Sequence, residues 1–176
     1  MDGLRSAPAA FLLAALYLVG GVLCLVGAAS PMSPGTPVGL LWGLGLAGVG
    51  LGAAIAAVGR ALHPWALHVA LALFSMLLGV LAWRSATAVG IVGLGPALTA
   101  VALYAAHVLP LPSARVHTAL AVAVASAGAA AAEPSGFLNA WLALAVTVVA
   151  LAESSEERRV GKECRIKCRS RWSPYH

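Results

Sequence analysis

Long uninterrupted apolar runs alternate with short polar segments along most of this chain. The clearest run covers residues 38–59 and contains no charged, amide or hydroxyl side chain. A helix needs roughly 20 apolar residues to cross the hydrocarbon core of a bilayer. Because a backbone in lipid must satisfy its own hydrogen bonds, this run is predicted to be helical. The pattern recurs and predicts six spans, at about residues 9–29, 38–59, 66–83, 88–109, 118–132 and 137–152.

Composition supports a membrane protein. The chain is 61% hydrophobic and 10% charged, whereas soluble domains have about 25% charged residues. We therefore predict an all-α fold for residues 1–153, an integral membrane bundle of about six transmembrane helices with short loops. Expected partners are the lipid bilayer and, through the membrane helices, a second copy of the chain. Nothing in the sequence suggests binding to nucleic acid.

Glycines mark a packing surface on the second predicted helix. Gly45, Gly48, Gly52 and Gly59 fall on one face at helical spacing. Glycine is unfavourable in a helix in water, but in a membrane small residues let helices approach closely. This face is therefore predicted to contact another helix.

The arginines of the apolar region predict its orientation. With an even number of spans, Arg5, Arg60 and Arg115 face one side and Arg84 faces the other. Positive residues are enriched in cytoplasmic loops of membrane proteins. We therefore expect a multi-pass protein of the cell membrane with both termini in the cytoplasm.

Pro96 lies near the middle of the fourth predicted helix, close to Gly93 and Gly95. Proline removes a backbone hydrogen bond and kinks a helix. The kink could serve helix packing, or it could form a ligand cavity or a hinge. We favour packing, because proline is frequent in spanning helices.

Histidines provide the main candidates for chemistry. His68 and His107 are predicted a few residues inside their helices at similar depth, where two imidazoles could ligate a haem or a metal. The alternative is that they are interfacial residues with a hydrated tip, like His63 and His117. We favour this alternative, because no carboxylate partner is apparent. We expect no metal site, no catalytic residue and no cofactor in these residues.

Three segments carry a resemblance to a known family: LYLVGGVLCLVGAASPMSPGTP, AWRSATAVGIVGLGPALTAVALYAAH and SGFLNAWLALAVTVVALAE. They resemble the N-terminal membrane region of actinobacterial diguanylate cyclases, the GGDEF-domain proteins. The resemblance covers residues 1–153 and implies about six spans followed by a cytoplasmic cyclase domain. The GG(D/E)EF signature itself is absent, so no catalytic or nucleotide-binding residue is transferred to this chain.

The resemblance implies a membrane-embedded sensor or anchor region of a truncated bacterial signalling protein. Within that class, the output domain could be a histidine kinase instead of a cyclase. A small transporter or permease fragment is the alternative from a different class, suggested by the interrupted fourth helix. Whether the full-length protein is an enzyme is left open by these residues.

The composition changes abruptly after Glu153. Residues 154–176 hold seven of the eleven basic residues and both lysines. The strings SEERRVGKEC and CRSRWSPYH resemble the conceptual translation of a short-read sequencing adapter. We therefore expect residues 154–176 to be a non-native, disordered tail, and such segments are excluded from fold reasoning.

Overall fold

The structure, a computed structural model, describes residues 3–31, 33–59, 61–85, 87–132, 141–142 and 144–154. Within these ranges the chain is helical and contains no strand. Arg60, Glu133 and the tail after Ser154 lie outside the described residues. The helices are α1 (Gly3–Ala29), α2 (Val38–Val58), α3 (Pro64–Trp83), α4 (Ala88–Val92), α5 (Gly95–Val108), α6 (Leu111–Ala131) and α7 (Leu144–Ser154).

Five described segments are long and apolar enough to cross a membrane: Pro8–Ala29, Val38–Val58, Pro64–Trp83, Gly90–Val108 and Leu111–Ala131. Large apolar side chains point outward from them, among them Phe11, Leu46 and Met76. A soluble protein rarely exposes such extended apolar surface. The predicted all-α membrane bundle is confirmed. Of the sixth predicted span, the structure describes residues 141–142 and 144–152. The helix there, α7, is shorter than the five long spans.

Tyrosines connect α1 to the other helices. The Tyr17 hydroxyl donates a hydrogen bond of 2.6 Å to the backbone carbonyl of Ala70 in α3. Its ring meets the ring of Phe74 edge to face, with centroids 5.0 Å apart. The Tyr104 hydroxyl in α5 donates to the carbonyl of Ala9 at 3.2 Å. These bonds satisfy buried hydroxyls between the helices and fix α1 against α3 and α5.

The structure places all four predicted packing glycines of α2 and its C-cap against α1. A methyl group added to Gly48 would lie 3.0 Å from the Cα atom of Gly21. At Gly52 it would lie 3.0 Å from the carbonyl oxygen of Ala14. Gly45 lies against Gly21 and Leu25, and Gly59 lies against Ala10. The two backbones are therefore in near contact along the whole pair.

Helix α6 begins earlier than the sequence predicts. Residues 110–117 were expected to form a loop, with the helix starting at residue 118, but the helix starts at Leu111. Pro112 lies in its first turn, where the missing N–H has no intrahelical partner to lose. The predicted loop is therefore wrong, and this difference places His117 inside a helix. Helix α3 likewise begins two residues early, with proline at Pro64 in the first turn.

The fourth predicted helix is divided into α4 and α5. The interruption lies at Gly93 and Leu94, where the Leu94 N–H bonds to the Ile91 carbonyl at 3.0 Å in a tight turn. Pro96 follows it in the first turn of α5. At that position proline favours the start of a helix and removes no bond from a helix interior. A single helix over residues 88–109, kinked by Pro96 from within, is therefore not what the structure contains.

Candidate functional site

The most distinctive polar contact inside the bundle joins two histidines. Nδ1 of His68 in α3 lies 3.0 Å from Nε2 of His117 in α6. The two rings are stacked, with centroids 5.2 Å apart and planes inclined by 20°. His117 is 7% exposed, and His68 is half-buried. The pair therefore lies at the junction of two spans and not on a loop.

Helix packing fixes the position of this pair. Gly128 of α6 lies directly against the backbone of Gly79 in α3, and Gly79 in turn lies against Val124. His68 precedes Gly79 by the same eleven residues by which His117 precedes Gly128. Eleven residues are about three helical turns, so each histidine shares a face with its glycine. The two helices therefore run parallel and meet at both points, about 16 Å apart.

Several contacts define the end of the bundle at which the histidines lie. Ala9 near the start of α1 accepts the hydrogen bond from Tyr104 near the end of α5. Arg115 near the start of α6 forms an ion pair of 3.2 Å with Glu153 near the end of α7. We call this the histidine end. The beginning of α1 and the end of α7 therefore lie at the same end of the bundle.

The hydrogen bond between the rings restricts their protonation. One of the two facing nitrogens must donate and the other must accept, so only one of them carries a proton. Nδ1 of His117, on the other side of its ring, is buried and has no hydrogen-bond partner among the described residues. A buried ring nitrogen without a partner is unfavourable whether or not it is protonated. Nδ1 of His117 therefore costs free energy where it lies, and an apolar side chain at this position would pack without that cost.

The other two histidines within the described residues lie apart from this pair. The exposed His107 holds its Nδ1 2.8 Å from the carbonyl of Leu103 in its own helix. His63 precedes α3, and its Nδ1 accepts a bond of 3.4 Å from the Trp65 N–H. The structure thus brings His68 to His117, and not to His107 as the haem hypothesis assumed. His117 is predicted from the sequence to be an interfacial residue before the fifth span, and its pairing with His68 is therefore not predicted.

The geometry of the pair does not suit a metal or a haem held between the rings. Metal–nitrogen bonds to histidine are about 2.0 Å long, so two axial ligands of a haem lie about 4 Å apart and two ligands of a tetrahedral ion about 3.3 Å apart. The observed 3.0 Å is a hydrogen-bond distance. In the described part of the chain, no group of three or more His, Cys, Asp or Glu side chains could hold a metal ion. What the pair can do chemically is bind and share protons.

Charged side chains of the described spans are confined to their ends. Arg115 and Glu153 are both about half exposed at the histidine end. Arg84 follows α3 at the opposite end, with its guanidinium 4.8 Å from the centre of the Trp83 ring. An aromatic beside a cation is typical of a membrane interface. These positions match a bilayer with one surface at each end of the bundle.

Comparisons with protein families, with curated proteins and with solved structures find no match to this chain.

Proposed function

We propose that this chain is the membrane-embedded sensor or anchor region of a bacterial signalling protein. The observation that supports the proposal most is that α1 begins and α7 ends at the same end of a helical membrane bundle. A segment attached after α7 would emerge on the side from which the chain entered. The described spans carry no acid or arginine at mid-depth, and such residues would mark an ion or proton pathway.

A diguanylate cyclase of the GGDEF class is the output domain that we propose, from the resemblance of residues 1–153. A histidine kinase domain is its rival, because both outputs require only delivery to the cytoplasm. We propose that any enzymatic activity belongs to this output domain.

Sequencing the genomic locus across the codon for Glu153 tests this proposal. We expect the reading frame to continue from α7 through a short linker into a GGDEF domain, without the codons for residues 155–176. A frame that enters a kinase domain would replace the cyclase and retain the signalling role. A genomic read that encodes SSEERRVGKEC and then stops would contradict both the adapter origin of the tail and the proposed output domain.

We propose that the histidine end faces the cytoplasm. Arg115 lies at this end, and Arg84 lies at the other. Reporter fusions after Pro34, Leu62, Arg84 and Pro110 measure the orientation directly. Leu62 and Pro110 are expected to give cytoplasmic signals, and Pro34 and Arg84 periplasmic ones. A periplasmic signal after Leu62 or Pro110 would contradict the orientation.

A homodimer through α2 is the assembly that we propose for signalling. The outer face of α2 carries a continuous stripe of small exposed residues: Gly39, Gly43, Ala47, Gly50, Ala54 and Ala57. Within the described part of the chain, no atom lies within 4 Å of a methyl group added to any of its three glycines. Small faces of this kind support close contact between membrane helices. Leucine at Gly43 should therefore leave the bundle folded and shift the protein from dimer to monomer in size-exclusion chromatography with light scattering.

A transporter role is favoured by one observation, the interruption between α4 and α5. Discontinuous helices form binding sites in many transporters. In this chain, however, a methyl group added at Gly95 would lie 2.8 Å from the side chain of Leu144 in α7. The interruption is thus packed by an apolar side chain, so we prefer the signalling role.

A further inference from the structure

We propose that His68 and His117 form a proton-responsive contact that holds α3 and α6 together at the histidine end and opens when both rings become charged. The proposal rests on the 3.0 Å hydrogen bond, the stacked rings and the burial of His117. It goes beyond the signalling role and does not depend on which output domain is attached.

The observed contact requires that at least one facing nitrogen be unprotonated. If both rings are imidazolium ions, Nδ1 of His68 and Nε2 of His117 both become donors, and their hydrogen bond is lost. Two positive rings would then face each other with centroids 5.2 Å apart, and the His117 ring is buried, so solvent screens its charge less than at a surface. Histidine is the side chain whose charge changes at mildly acidic pH. Acidification therefore turns this contact from attractive to repulsive.

The described charges around the pair do not offset this repulsion. Among the described side chains, the other titratable or charged groups at this end, on the elements packed against α3 and α6, are Tyr17, His63, Tyr104, His107, Arg115 and Glu153. Glu153 is the only carboxylate within the described residues, and it is paired with Arg115. No carboxylate of the described residues contacts either ring of the pair. A second positive charge on the pair would therefore have no counter-ion of its own among the described side chains.

The opposite end of the same helix pair provides a pivot. Gly79 and Gly128 keep α3 and α6 in backbone contact three turns away. Repulsion at the histidine end would therefore tilt the start of α6 away from α3 about this contact. Arg115 moves with the start of α6, and its ion pair with Glu153 connects that movement to the end of α7.

The distance between α3 and α6 at different pH values tests the proposal. Spin labels are placed at Trp65 and Val116, both exposed, in a protein whose three cysteines are replaced by alanine. Pulsed EPR in lipid nanodiscs at pH 8 and pH 5.5 measures the label distance. We expect a single short distance at pH 8 and a second, longer population at pH 5.5 that disappears when pH 8 is restored.

Matched variants separate the histidine pair from general effects of acid. His68→Gln and His117→Gln should each remove the pH response, and the exposed His107→Gln should retain it. Glu153→Gln should also retain the response between α3 and α6, because the ion pair lies outside the opening contact. If the buried His117→Gln does not fold, His68→Gln at the half-buried position gives the same test.

Thermal unfolding in detergent gives a second readout of the same contact. The folded state disfavours the second proton on the pair, so the unfolded state binds more protons at acidic pH and stability falls as the pH falls. Wild type should lose several degrees of melting temperature between pH 8 and pH 5.5, and the two pair variants should lose much less. The proposal is overturned if the label distance in wild type does not change, or if His107→Gln abolishes the response as the pair variants do.

Discussion

Replacing Gly48 with leucine is expected to separate α2 from α1 and to destabilise the whole bundle. Gly48 lies against the Cα atom of Gly21, and a methyl group alone would already lie 3.0 Å from it. A leucine adds three further carbons beyond that methyl group. The neighbouring atoms belong to the backbone of α1, which cannot move aside as a side chain could. Overpacking of a well-packed site typically costs about 1–3 kcal/mol, and contact with backbone puts this substitution at the upper end. Thermal unfolding of the detergent-solubilised protein measures the loss.

Gly50→Leu is the matched control, because it makes the same change on the same helix. No atom lies within 4 Å of a methyl group added at Gly50. Because Gly50 also lies on the proposed dimer face, the variants are compared in the Gly43→Leu background, in which that dimer is already lost. There Gly50→Leu should retain the melting temperature of the parent protein, while Gly52→Leu should behave like Gly48→Leu. Equal melting temperatures for leucine at Gly48 and at Gly50 would show that the buried glycine face does not hold α1 and α2 together.

Adding a single methyl group at Gly128 is expected to produce the second large effect. In Gly128→Ala the new carbon would overlap the carbonyl oxygen of Gly79 and lie 3.0 Å from Cβ of Ala82. The two helices must then move apart at their closest approach. We expect a loss of about 1–3 kcal/mol, seen as a lower melting temperature.

The comparison for this variant is Gly50→Ala, which adds the same methyl group at an open position. Alanine is the better helix former in water, by about 1 kcal/mol. Gly50→Ala should therefore leave the melting temperature unchanged or raise it slightly, whereas Gly128→Ala should lower it. If Gly128→Ala melted at or above the temperature of Gly50→Ala, the close crossing of α3 and α6 would be refuted.

The spans with uninterrupted apolar runs could be predicted closely from the sequence. The predicted second helix, 38–59, differs from α2 by one residue, because membrane burial alone makes such a run helical. The start of α6 could not be predicted in this way. The segment around this helix start is rich in residues typical of loops, namely Pro110, Pro112 and Arg115. A first helical turn accepts them only because Pro110 precedes the helix and Pro112 lies where no backbone hydrogen bond is lost.

The candidate site was harder to predict than the helices. Sequence periodicity placed His68 inside a span, but it does not report which spans are neighbours. The pairing with His117 depends on the contact of the third and fifth spans, which are separated along the chain by α4 and α5. Gly79 and Gly128, which create that contact, are single glycines in their helices and form no visible pattern.

The equal spacing of the two α3–α6 contacts gives this helix pair a single register. A slide by one turn, about 5.4 Å, would remove Gly128 from Gly79 and His117 from His68 together. A rotation of α6 by one residue would turn both its glycine and its histidine off the shared face. Arrangements between two registers would lose both contacts and gain neither, so α6 should not slide along α3. Opening at the histidines therefore leaves the register of the pair unchanged, because the glycine contact is kept.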